Sequence, residues 1–151
     1  MKYDALLDEA NAEGISIKER PFKTYDGRIK GKDIYLRKDM NTTEKGCVLA
    51  EELGHYYTSV GNIIDMDSSS NRKQERQARL WAYNKQIGLK GLVRAYEHGC
   101  TASHEIAEYL DVTEEALQEC IEFYRDKYGE YKTVEHYIIF FIPHLAVLKK
   151  I

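Results

Sequence analysis

The stretch Asn41 to Gly61, NTTEKGCVLAEELGHYYTSVG, leaves the chain little choice but a helix. Asn41 can cap the first turn, and Glu44 at the third helical position can reach back to the cap's own backbone. Leu49 and Leu53 are four apart and share the face that such a helix turns to a core. Glu51 and His55 are also four apart and share a different face. Glu52 follows Glu51 and points about 100° away from it. Gly54 places no side chain on its turn, so a second helix can cross closely there. The helix is expected to run to about Ser59, with Gly61 as its stop.

The surrounding elements follow from local pattern. Residues 1–13 read as a helix with Leu6, Leu7 and Ala10 on one face and Gly14 ending it. Ile15 and Ile17 alternate with polar residues, Asp26-Gly27 is a hairpin-turn signal, and Ile34 to Leu36 suggests a further strand. A small antiparallel sheet is therefore expected over about residues 15–37. Asp65 to Asn71 reads as a polar loop. Helices are then expected over about residues 72–86 and 90–98. Two more follow, joined at Asp111-Val112-Thr113, with Thr113 as cap and Gly129 as the stop. Tyr137 to Phe141 is β-branched and aromatic, which suits a buried strand. No internal repeat and no low-complexity linker interrupt this order.

Composition narrows the functional classes. Of the 151 residues, 43 % are hydrophobic and 31 % charged, as in an ordinary soluble globular protein. The formal net charge of −3 gives no basic footprint for nucleic acid. Cys47, Cys100 and Cys120 form no C-x-x-C pair, so a cysteine zinc site is not expected, and reduced thiols in the cytoplasm are the simplest reading. The charged, amphipathic start is not a signal peptide. The longest apolar run, Tyr137 to Leu148, is too short to span a bilayer and contains Pro143 and His144.

The face bearing Glu51 and His55 differs by one residue from a metal-binding arrangement. In H-E-x-x-H, two ligands sit one turn apart and the intervening glutamate is a general base. Here Glu51 stands where the first histidine would be. Zinc accepts carboxylate oxygen as well as imidazole nitrogen, so Glu51 and His55 can still reach one ion. An anion in place of a neutral ligand lowers the ion's Lewis acidity and moves preference toward harder cations, Mn2+ or Fe2+. Glu52 keeps the place of the base that takes a proton from water. A catalytic zinc needs a third protein ligand and one open position. Glu75 is the best candidate: Glu75, Ala78 and Ala82 share one face of the next helix, and the small residues let it press on the first. Spacing alone says little, since E-E-x-x-H also fits a solvated acidic face and Glu75 also fits a surface ion pair with Arg72, Arg76 or Arg79.

Two motifs in order make the pattern more specific. "LAEELGH", then a polar loop, then E-x-x-A-x-x-W-A from Glu75 to Ala82, resembles the ImmA/IrrE family of small metallopeptidases of phages, integrative elements and bacteria. The resemblance runs from about Ile15 to Leu89, and HEIAEYLDVTEEALQECIEFY resembles the helical segment that follows. It implies an α+β fold: a small antiparallel N-terminal sheet packed on a zincin-like helical core, then a helical C-terminal half. The division expected is a metallopeptidase-like core of residues 1–90 and a helical segment of residues 91–151 with an apolar tail, packed on the core. Carried over residue by residue, Glu52 is the catalytic base, His55 and Glu75 are Zn2+ ligands, and Glu51 fills the departed histidine's place. The resemblance also implies a partner: a helix-turn-helix repressor of a phage or mobile element, either cleaved or bound without cleavage. Tyr56, Tyr57 and Tyr83 are positioned as candidates to steady the oxyanion.

Other features read as structural. His104 and Glu108 are again four apart, but no third ligand accompanies them. Residues 104–128 hold eight Asp/Glu against two Lys/Arg, which disfavours a DNA-recognition helix. Neither direct nucleic-acid binding nor a membrane role is expected.

Overall fold

Helix α1 (Lys2–Ala12) lies on α2 (Thr42–Thr58), and between them in sequence come strands β1 (Ser16–Arg20), β2 (Gly27–Lys30) and β3 (Asp33–Arg37). The structure, a computed structural model, describes residues 2–59 and 68–151, the side chains of 68–71 excepted. The described chain divides into two compact units, residues 1–85 and 86–151. The expected stop at Gly61 and the first part of the Asp65–Asn71 loop lie outside the described residues. Ser68 to Asn71 are already helical, because α3 is Ser68–Gln86, four residues longer at its start than expected.

In the first unit, α2 begins as its sequence dictates. The Asn41 side chain accepts from the Glu44 N–H at 2.8 Å, and the Glu44 carboxylate accepts from the Asn41 N–H at 3.1 Å. Together they satisfy two of the N–H groups a helix start leaves open. Leu49, Ala50 and Leu53 are buried with Leu6 and Ala10 of α1 and with Ile34 and Leu36 of β3. Burial of each large aliphatic side chain contributes roughly 1.5–3 kcal/mol, so this seam fixes which face of α2 is left for chemistry. Glu19 of β1 ties the layers: it accepts from Tyr3 Oη at 2.8 Å and pairs with Lys45 Nζ at 2.9 Å.

The sheet differs from expectation in one respect. Its order is β1-β3-β2, with β2 antiparallel to β3 but β1 parallel to it, Ile17 opposite Ile34. Asp26-Gly27 is not the hairpin turn. That turn is Gly31-Lys32, with Gly31 at φ 62°. Residues 21–26 instead carry the chain past the central place, which β3 then fills. Asp26 closes the end of the sheet by pairing with Arg37 at 3.1 Å. The result leaves β2 at a sheet edge, packed against α2.

The second unit contains α4 (Gly88–Glu97), α5 (Ser103–Leu110), α6 (Glu114–Tyr128), and a second sheet of β4 (Tyr131–Val134), β5 (Tyr137–Phe140) and β6 (Ala146–Lys149). Thr113 caps α6 by accepting from the Ala116 N–H at 3.0 Å, as its sequence position predicts. Tyr124 and Phe141 meet edge to face within a core that includes Leu92, Leu117 and Ile139. The strand expected over Tyr137 to Phe141 is β5, and the segment that is helical up to Tyr128 ends in a sheet the sequence reading did not include: β5 lies between β4 and β6, antiparallel to both. Three of the four β4 residues are exposed, so the apolar signal that marks β5 is missing from its partner. No described helix is long and apolar enough to cross a membrane.

Candidate metal centre

Helices α2 and α3 approach backbone to backbone at one point. A Cβ built on Gly54 would meet the Ala78 carbonyl far inside contact distance, so no other residue fits there without moving a helix. Ala78 and Ala82 are buried along the crossing. The close approach sets the exposed faces of the two helices side by side. His55 Nε2 then lies 3.1 Å from Glu75 Oε2, and one ligand atom each from Glu51, His55 and Glu75 falls within 4.8 Å of the others. Donors around a tetrahedral zinc with bonds near 2 Å stand about 3.3 Å apart. The cluster therefore needs only side-chain adjustment to hold one divalent cation, and its donor set of one nitrogen and two carboxylates suits Zn2+, Mn2+ or Fe2+.

Electrostatics here are those of crowded acids around an imidazole. The hydrogen bond to His55 draws the Glu75 carboxyl down to about 2, and the same bond raises His55 above its ordinary value. Burial, then the bond to Glu75, raises Glu51. Arg79 intervenes: its Nε stands 3.4 Å from Glu51 Oε1 and 3.3 Å from Glu75 Oε1. One guanidinium thus faces both carboxylates from the side, offsetting the charge that Glu51 adds. Glu52 differs from its neighbours. Among the described residues no hydrogen bond or ion pair satisfies its carboxylate, and burial pushes it up to about 7. Such a carboxyl exchanges its proton near neutral pH.

The structure brings together every residue the sequence singled out at this site: Glu51, His55 and Glu75 in one cluster, with Glu52 next to it on α2. His104 and Glu108 are exposed and belong to no comparable cluster among the described residues. Tyr57 stacks on Trp81 at 5.2 Å and packs edge-on to Tyr56, while Tyr83 is buried.

The motif geometry has a counterpart in sequence families. The pattern of peptidase M78, the IrrE N-terminal-like domain, matches residues 10–122 of the chain. The chain belongs to this family. No curated protein and no solved structure matches it significantly. As a member of the IrrE N-terminal-like family it is metallopeptidase-like, the family is metal-dependent, and the described residues include a Glu-His-Glu cluster able to hold an ion.

Two residues beside the cluster carry little or no weight in the sequence. Gly27 opens β2 against Glu52: a Cβ there would press on Val48 and come within 3.2 Å of the Glu52 side chain. Its signal was available, since glycine inside a strand often marks close approach of another element, but the preceding aspartate made it look like a turn. Arg79 appeared only as one of three arginines able to pair with Glu75, and nothing in the one-dimensional pattern shows that it faces Glu51 as well.

Proposed function

We propose that the chain is a metal-dependent endopeptidase that hydrolyses one peptide bond in a helix-turn-helix repressor of a phage or mobile element, in the cytoplasm. The observation that carries hydrolysis is the convergence of Glu51, His55 and Glu75 beside Glu52. Glu51, His55 and Glu75 would hold the ion, Zn2+ or one of the harder cations Mn2+ and Fe2+. When bound, it supplies Lewis acidity that polarises a carbonyl and eases deprotonation of water. Glu52 takes the proton of the attacking water on its carboxylate and returns it to the leaving amine, a shuttle suited to a carboxyl near 7. Edge strand β2 offers backbone groups to an extended peptide, and its first residue, Gly27, lies against Glu52. A peptide laid along that edge would pass beside the base. The repressor as substrate rests on the resemblance to the ImmA/IrrE family, whose mobile-element members act on such repressors.

A second reading is favoured by Arg79. A cation already set against Glu51 and Glu75 competes with a metal ion for the same carboxylates, and a site so filled would relieve repression by binding the repressor without cutting it. The separating experiment is incubation of the metal-loaded chain, and of Glu52→Gln, with a candidate helix-turn-helix repressor, read by mass spectrometry for cleavage and by a reporter gene for relief of repression. Hydrolysis predicts two repressor fragments with the native chain and none with E52Q. Relief of repression by E52Q at the native level would leave the binding reading standing and remove hydrolysis.

A further inference from the structure

The second unit contains a cavity of about 470 Å³ that plays no part in the metal centre. Its volume lies within the range of small-molecule sites, about 300–1,000 Å³. Leu92, Ile121 and Phe141 form a buried floor, and Ile106, Leu145 and Val147 extend the apolar wall. Polar groups stand among them: Thr101, Ser103, Gln118, His144 and Arg125. An apolar body with a few polar groups on its lining is the make-up of a ligand site rather than of a packing defect.

Charge indicates what kind of ligand. Residues 86–151 carry eleven Asp/Glu and seven Lys/Arg, a net charge of −4 with histidines neutral. Against that background the cavity lining holds one ionic side chain apart from the histidine, and it is the cation Arg125. Its guanidinium enters no ion pair among the described residues. Gln118, Ile121 and Arg125 project from successive turns of α6, so the cation stands in line with the apolar wall. Glu105, next in sequence to the lining residue Ile106, is engaged by the Thr101 hydroxyl and by the Ala102 N–H at 2.9 Å. A guanidinium presents donors in a planar fork that matches a carboxylate.

We infer that this cavity binds a small amphipathic carboxylate, its apolar chain against Leu92, Ile106 and Phe141 and its anion on Arg125. The inference is independent of the metal centre and of the proposed hydrolysis. The test is calorimetric titration of the full chain with sodium octanoate, n-octanol and octylammonium chloride, repeated on Arg125→Gln and on Ile106→Trp. Arg125 is exposed, so R125Q should fold, and circular dichroism checks both variants. Saturable binding of one octanoate per chain is expected, at least tenfold tighter than octylammonium. R125Q should weaken octanoate at least tenfold and leave octanol within twofold, while I106W should weaken both. Equal binding of octanoate and octylammonium, an unchanged octanoate affinity in R125Q, undiminished binding in I106W, or no saturable binding of octanoate would each overturn the inference.

Discussion

Glu52 and Gly54 show how much a single residue decides at this site. Glu52 holds its proton up to about pH 7 in the fold, whereas an unfolded chain releases it near 4.5. Between those values the native state binds more protons than the unfolded state, so stability must fall as pH rises. For the metal-free chain we expect Glu52 to contribute a loss on the order of 1–3 kcal/mol from pH 4.5 to 7, seen as a falling melting temperature. E52Q should flatten that part of the curve; a slope identical to the native one would remove Glu52 as its source. The His55–Glu75 pair acts in opposite directions. The raised His55 stabilises below its ordinary value of 6.5 and is lost above it, while the lowered Glu75 stabilises above 4.5 and is lost as pH falls toward 2. Gly54→Ala places a methyl group against the Ala78 carbonyl. Overpacking of this kind costs about 1–3 kcal/mol, and because it parts the two helices, metal affinity should fall along with the melting temperature.

At the scale of elements, α2 shows what a sequence states openly. Its cap, its buried face and its chemical face all follow from spacings of three and four, because a helix repeats locally and each residue's direction is set by its neighbours. Asn41→Ala should therefore cost about 1 kcal/mol and lower the melting temperature by about 2–4 °C, with no change in the Glu51–His55–Glu75 cluster; an unchanged melting temperature would contradict the capping role. Strand partners are not local. That β1 joins β3 in parallel depends on how residues 21–26 run, and Asp26-Gly27 carries the same letters whether it turns a hairpin or, as here, opens a strand against Glu52. Strand β4 was illegible for a related reason, since its exposed YKTV has no apolar periodicity to read. The place of Glu75 beside His55 was legible only through its partner motif, and Arg79's place against two carboxylates was not legible, because it depends on how α3 crosses α2.

For the molecule as a whole, an ion that binds the folded chain and not the unfolded one must stabilise it by mass action. At a free metal concentration one hundred times its Kd the gain is about 2.7 kcal/mol. Chelation should therefore lower the melting temperature of the native chain and leave that of His55→Ala unchanged. The most direct measurement is metal content by mass spectrometry on tag-free native protein, on His55→Ala and on Glu75→Gln. A centre built from Glu51, His55 and Glu75 predicts about one equivalent of metal in the native chain and little or none in either variant. A native chain without metal that gains an equivalent only in Glu51→His would contradict it, and so would a native equivalent that survives the loss of His55.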